Sequence, residues 1–442
     1  MRDPLTRRHV LAGLAAFTAS ASTLSATASD AVDGAEFGLV PESASDQSAA
    51  LQAAIDAAAA RGGPLQLASG RYSAGGLQLR HNTTISGLRG GVVIEATSAP
   101  LFSAAAQNDI VLENLVLRGS NLGGDAPLLS FTACERLHLS GLRLEGGGGS
   151  GVNLESSGGR LTNLDISDFE HAGIFAHLSH DLIIRDCRIT RCGNGGILVW
   201  GDGEAHDGTI VTANQISDID WRGGGNGQNG NGINVYKANG VMVTNNVIRN
   251  CAFTAVRLNA SNDTHVIGNS CLDSGEVAIF SEFGFSGSVI ADNIVDGAAQ
   301  GISMTNFDSN GRLAACSGNI VRNITPRSLV NPDTTPAGIF AEADAVITGN
   351  VVEAVPGLGI GAGWGPYLRD VVISGNVVRD CEVGIGVSVA EGAGKAVVSG
   401  NRVAEARRAG IAAFAWDEMM SEDLQRDAEQ FPTVTITGNS VN

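Results

Sequence analysis

Tyr236, Lys237, Arg257 and Glu282, residue types that move protons and hold charge, cluster around one recurring position in this 442-residue chain. A phrase of a small residue, Ile or Val, any residue and then usually an apolar one returns as GIFA, GILV, GINV, AVRL, AIFS, GISM and again GIFA between positions 173 and 341. The residues at the fourth place after each start are His177, Trp200, Tyr236, Asn259, Glu282, Thr305 and Glu342. Two places earlier the sequence reads Phe175, Leu198, Asn234, Arg257, Phe280, Ser303 and Phe340, and Asp202 and Lys237 follow close behind. Aromatic rings beside amides, a base and carboxylates are what a groove for sugar rings presents. On this reading His177, Trp200, Asn234, Asn259, Thr305 and Glu342 contact the ligand. A lyase or epimerase acting on a uronate needs a base at C5, a cation for the carboxylate and an acid for the leaving oxygen. Lys237 or Tyr236 would be the base, Arg257 the cation, and Glu282 or His177 the acid.

Other chemistries have weaker support. A hydrolase needs a pair of facing carboxylates, about 5 to 5.5 Å or about 6.5 to 9.5 Å apart, and Asp202, Glu204, Asp207 and Glu282 form no recognisable pair in sequence. Glu204, His206 and Asp207 offer two carboxylates and one imidazole in a loop, short of a metal site. No cofactor is implied. Calcium is compatible with a uronate lyase, but the Gly/Asn-rich run at 223–232 lacks the aspartates that hard-cation ligation needs.

Positioning these residues in a row requires a repeating element, and a second phrase supplies it. An apolar residue, two small or polar residues, an asparagine, any residue and another apolar one recur with the asparagine at 214, 246, 269, 293, 319, 350, 376, 401 and 439. In earlier units Leu142, Leu164 and Cys187 take the asparagine's place. The interval is about 25 residues, the size of one solenoid coil. Period-two alternation in both phrases marks short strands with one face in a core. The expected fold is all-β, a right-handed parallel β-helix of about a dozen coils. A buried amide without partners costs roughly 2–7 kcal/mol. Stacked about 4.8 Å apart, equivalent asparagines can satisfy one another, so they are read as scaffold.

Ser45 or Asp46 begins a capping helix whose stripe is Leu51, Ile55 and alanines, closing the open first coil. Gly70, Arg71 and Tyr72 read as a turn in the entry segment. Residues 416–431 read as a helical insertion, and 219–231 and 325–336 as loops, the latter stiffened by three prolines. Residues 1–28 read as an export signal with Arg7 and Arg8 and a cleavage site at Ala26–Ala28. Residues 29–75 read as linker, capping helix and entry strand, and 76–442 as the β-helix. The net charge of −18 opposes binding to nucleic acid or anionic membranes, and no membrane-spanning run is evident. Of the seven cysteines, Cys187, Cys192, Cys251, Cys271, Cys316 and Cys381 fall on inward positions as core filler; Cys187 and Cys192 are the pair close enough in sequence to check for a disulfide.

With Arg7-Arg8 at the start, the capping helix and the x-G-N-x-V phrase, the chain resembles a family of twin-arginine-translocated parallel β-helix repeat proteins of unassigned activity, within the pectate-lyase-like superfamily. The resemblance spans the whole chain and implies export through the twin-arginine machinery to the periplasm or beyond. It implies no catalytic residues, because no motif of the pectate-lyase or polygalacturonase groups lies on this sequence. Two functions follow: a polysaccharide lyase or epimerase acting on a uronate-containing glycan, or a non-catalytic periplasmic repeat protein that binds a glycan or an envelope protein. The oligomeric state is not legible.

Overall fold

Parallel strands stack coil upon coil into a right-handed β-helix of about 14 turns, and the computed structural model describes residues 31–119 and 122–442. The expected export segment lies outside the described residues. One face is a 16-stranded sheet running from Val32–Asp33 to Val434–Thr437, and the other faces are joined across bends into a 26-stranded sheet. Inward positions form one continuous core, in which Ile174, Ile197, Ile233, Val256, Ile279, Ile302 and Ile339 stack as the Ile/Val of the repeated phrase.

The asparagines form the expected ladder. Each Nδ2 donates to the Oδ1 of the next coil at 2.8–3.0 Å, from Asn214 through Asn439. For Asn319, the second Nδ2 proton goes to the carbonyl of Ile290 at 3.0 Å, while its own Oδ1 accepts the Asn293 backbone N–H and Nδ2. Every donor and acceptor of the amide is used, which removes the burial penalty. The residue before the asparagine makes a left-handed corner. Gly318, Gly349, Gly375 and Gly400 have φ of 64–67°, and Asn245 and Asp292, whose side chains tolerate that region, replace glycine in other coils.

Helix α1, Ser48–Arg61, covers the first coil with Leu51, Ala54, Ile55 and Ala58 buried. Asp46 accepts the Ser48 N–H at 2.8 Å just before the helix, and Gly62 ends it in the left-handed conformation. Two sequence expectations change here. Gly70, Arg71 and Tyr72 open a strand, Gly70–Ala74, paired in register with Val92–Ala96, rather than a turn. Tyr72 is buried, with its hydroxyl donating to the Ala68 carbonyl. Residues 416–431 form no α-helix: Glu418–Ser421 fold back antiparallel on Ala409–Ala415, Leu424 enters the core, and Ala428–Gln430 make a single 3-10 turn. The backbone of Ala409–Ala415 would otherwise be an unpaired strand on that side, and the hairpin satisfies it.

All seven cysteines are buried and free. Burial pushes the Cys187 and Cys192 thiols up to about 12. No helix among the described residues is long and apolar enough to cross a membrane.

Candidate functional site

Parallel register turns the expected row into a physical one. His177, Trp200, Tyr236, Asn259 and Glu282 are direct neighbours on successive strands. Phe175, Leu198, Asn234, Arg257, Phe280, Ser303 and Phe340 align beside them. Side-chain contacts divide this face into three zones.

The lower zone is aromatic. Trp200 meets Phe175 and Tyr236 edge-on, with centroids 5.0 and 5.8 Å apart. Lys237, in a left-handed corner with φ 50°, places Nζ 5.3 Å from the Tyr236 ring. His177 Nδ1 lies 2.8 Å from Glu155 Oε2. Two buried polar atoms here, Trp200 Nε1 and Asn234 Oδ1, have no hydrogen-bond partner among the described residues.

The middle zone is an ion cluster. Arg257 donates to Glu282 through Nε at 2.6 Å and Nη2 at 2.8 Å, and to Glu276 through Nη1 at 3.0 Å. Asn259 also donates to Glu282, at 2.7 Å, and Thr254 and Asn331 donate to Glu276. All three charged groups are buried, and Gly227 of the 219–231 loop packs against the guanidinium. The roles expected for Arg257 and Glu282, cation for a substrate carboxylate and acid for a leaving oxygen, do not match these contacts. The two side chains neutralise one another beneath a loop.

The upper zone is open. A groove of about 630 Å³ is lined by residues from Asn331 to Ala337 and by Trp364 and Trp416. Phe280, Ser303, Thr305, Phe340 and Glu342 form part of its floor. The 325–336 loop is held in place where Ser328 donates to the Gly275 carbonyl at 2.7 Å and Asn331 to Glu276. Trp416 meets Trp364 and Tyr367 edge-on, at 5.7 and 6.4 Å. Trp364 and Trp416 are 38% and 47% exposed, which leaves part of each indole open at the groove.

Glu342 is the distinctive group in this groove. It is only 8% exposed, and its Oε2 accepts the Phe307 backbone N–H at 2.7 Å. Burial pushes its carboxyl up to about 7, the Phe307 N–H partly opposes that shift, and nearby Asp308 adds to it. A carboxyl that half-ionises near neutrality is suited to proton transfer. The remaining ionisable groups of the groove are Glu276, Asp333, Glu382 and Asp417 against one guanidinium, Arg408.

Of the residues expected from sequence, Thr305 and Glu342 line the groove, while Tyr236, Lys237, His177, Trp200 and Asn234 lie coils away in the aromatic zone. Trp364, Trp416, Glu382 and Arg408 were missed. Trp364 follows the GIGA phrase at 359–362, where one further step of the row would have reached Gly363 beside it. Trp416 was hidden in the supposed helix. Among the described residues, no cluster of three or more His, Cys, Asp or Glu is placed to hold a metal ion.

The model of the family described as right handed beta helix region matches residues 71–227 and 150–423. The chain belongs to that family. No curated protein matches this β-helix, but many solved structures share its fold. An alginate lyase solved with a trisaccharide aligns over 93% of this chain and 96% of its own, at 14% identity and TM-score 0.56. The N-terminal fragment of gene product 12 of bacteriophage Phi29 aligns over 87% and 71%, at 14% identity and TM-score 0.52. Tailspike protein 3 of bacteriophage CBA120 aligns over 93% and 62%, at 14% identity and TM-score 0.50. At such identities the likeness is one of fold.

Proposed function

We propose that this β-helix binds a glycan in the groove lined by residues 331–337, Trp364 and Trp416 and cleaves it with Glu342 as general acid. The observation that carries the proposal is one buried carboxyl, held near a pKa of about 7, in the floor of a groove walled by exposed indoles. Indole faces stack on the apolar faces of sugar rings. Protonated Glu342 gives its proton to the glycosidic oxygen as the C–O bond breaks, and Asp333, Glu382 or Asp417 takes the proton of the attacking water. The fold's occurrence in an alginate lyase that holds a trisaccharide supports a carbohydrate ligand.

The charge of the groove bears on the reaction. Asp333, Glu382 and Asp417 stand against one guanidinium, Arg408, while Glu276 is paired with Arg257 and Glu342 keeps its proton up to about pH 7. A polyuronate would meet repulsion there, and β-elimination needs a uronate carboxyl. The balance favours hydrolysis of a glycan without carboxylates over a lyase or epimerase reaction. The aromatic zone around Trp200 and Tyr236 lies on the same face and would contact a longer chain. Arg7 and Arg8 support export by the twin-arginine route before the glycan is met; Arg7→Lys with Arg8→Lys should retain the protein in the cytoplasm on fractionation.

The test is a screen of neutral polysaccharides and polyuronates for new reducing ends. Wild-type protein should release them from a neutral glycan, and Glu342→Gln should lower that rate by about a hundredfold or more while retaining binding. Trp416→Ala should weaken binding with turnover at saturation largely kept. Unsaturated, ultraviolet-absorbing ends from a polyuronate would replace hydrolysis with the lyase reading, and binding without any turnover would leave a glycan-binding repeat protein.

A further inference from the structure

The face that follows the asparagine ladder carries an apolar stripe on its outer surface. The residue after each ladder amide points outward, and Ile294, Ile320, Val351 and Val377 stack directly upon one another. They are 39–45% exposed. Below them come Ser270 and Val247, above them Arg402 and Ser440. Four aliphatic side chains in an unbroken outward column is costly on a free surface, where polar residues would serve the strand as well. On one side the surface stays low, because the corners hold Gly349, Gly375 and Gly400, whose missing side chains would meet no atom within 4 Å.

The next outward column, two residues on, has alternating charge. It runs Arg249, Leu272, Asp296, Arg322, Glu353, Arg379 and Ala404 on successive coils. Glu353 makes no ion pair among the described residues, while Arg322 pairs with Asp296 at 2.9 Å and Arg379 with Glu405 at 2.7 Å within the chain, so a facing charge would extend these pairs rather than replace them. Reversing this column about the midpoint between Arg322 and Glu353 sets Arg322 opposite Glu353, Asp296 opposite Arg379, and Leu272 opposite Ala404. The same midpoint bisects the aliphatic column, setting Ile320 opposite Val351 and Ile294 opposite Val377. A two-fold axis along the strands, with the two solenoids antiparallel, performs this reversal on every coil at once. A parallel two-fold pairing with its axis up the charged column, coils level, would bring arginine against arginine and glutamate against glutamate.

We infer that this face pairs with a second copy of the chain in an antiparallel dimer centred between the Ile320 and Val351 coils. Seven coil steps of about 4.8 Å by about five residues of 3.3 Å give roughly 550 Å² per copy, or roughly 1,100 Å² in total. That is at the lower edge of specific interfaces, above the ~1,000 Å² minimum, so the dimer is reversible. The stripe precedes the bends at Asp273 and Gly297 and the groove residues follow them, so the inference does not depend on the proposed glycan chemistry.

Sedimentation velocity on the full chain across a wide concentration range tests it. The mass should rise from one to two copies, and both Ile320→Lys and Glu353→Arg should weaken the association at least tenfold with circular dichroism unchanged. For orientation, Ile294→Cys and Val377→Cys proteins are mixed and treated with a short bismaleimide. The native cysteines are buried and stay silent. Facing sheets lie about 10 Å apart, so the mixture should link and Ile294→Cys alone should not. A monomer at every concentration overturns the inference, and self-linking of Ile294→Cys overturns the antiparallel geometry.

Discussion

Arg257 and Glu282, on adjacent coils, meet in a two-pronged contact, Nε to Oε1 at 2.6 Å and Nη2 to Oε2 at 2.8 Å, with both side chains buried. Glu276 takes the third guanidinium edge. Removing one partner from such a cluster strands a buried charge, whereas replacing the whole cluster does not. Arg257→Met, which leaves Glu276 and Glu282 buried without their cation, should therefore cost about 3–5 kcal/mol. Arg257→Met with Glu276→Gln and Glu282→Gln should recover much of that loss. Urea denaturation of the two variants checks the order, and an Arg257→Met protein as stable as wild type would show the cluster to be unimportant.

The asparagine ladder predicts a dependence on position along the stack. Asn319→Ala leaves the Ile290 carbonyl and the Asn293 backbone N–H and Nδ2 without their partners in the core. At about 1–3 kcal/mol for each stranded group, the loss should be several kcal/mol. Asn439, at the end of the row and more exposed, should cost much less on the same substitution. Thermal unfolding of both variants measures the difference.

Glu342 links stability to pH in an unusual direction. Its carboxyl titrates at about 7 when folded against an ordinary 4.5, so the folded state holds the proton more tightly. Stability from this group is fully present below pH 4.5 and is lost as pH rises through 7. With 8% exposure the linked change is about 3 kcal/mol. The difference in unfolding free energy between wild type and Glu342→Gln should shift by that amount between pH 4.5 and pH 7. Because the acid form donates the proton, turnover on a glycan should fall as pH rises through 7.

Thiol chemistry offers a probe of coil opening. The Cys187 and Cys192 thiols, pushed up to about 12 by burial, should not react with an aromatic disulfide at neutral pH in the folded protein. All seven cysteines should react together in denaturant. Rapid labelling of a subset without denaturant would mark coils that open locally.

The Ile/Val phrase, the ladder amides and the row from His177 to Glu342 were legible in the sequence because each follows from a local rule. Alternation selects the inward side chains, and a buried amide needs neighbours in adjacent coils, amides or backbone groups, that complete its hydrogen bonds. In-register stacking then carries one coil's pattern to the next, which is why Trp200, Tyr236 and Asn259 emerged as neighbours across stretches of unrelated sequence. The outward charges follow no such rule. Whether Arg257 meets a substrate or Glu282 depends on the rotamers that two stacked side chains adopt, and on Gly227 and Asn331 arriving from loops that have no period. The groove is likewise bounded by insertions, 331–337 and the hairpin after Ala415, whose place against the coils is set by tertiary contacts alone. The sequence determined the solenoid, its register and its outward row; only the folded chain decided which members of that row are spent on one another and which, like Glu342, stay available at a groove, because pairing among outward side chains is a matter of distance across coils and not of spacing along them.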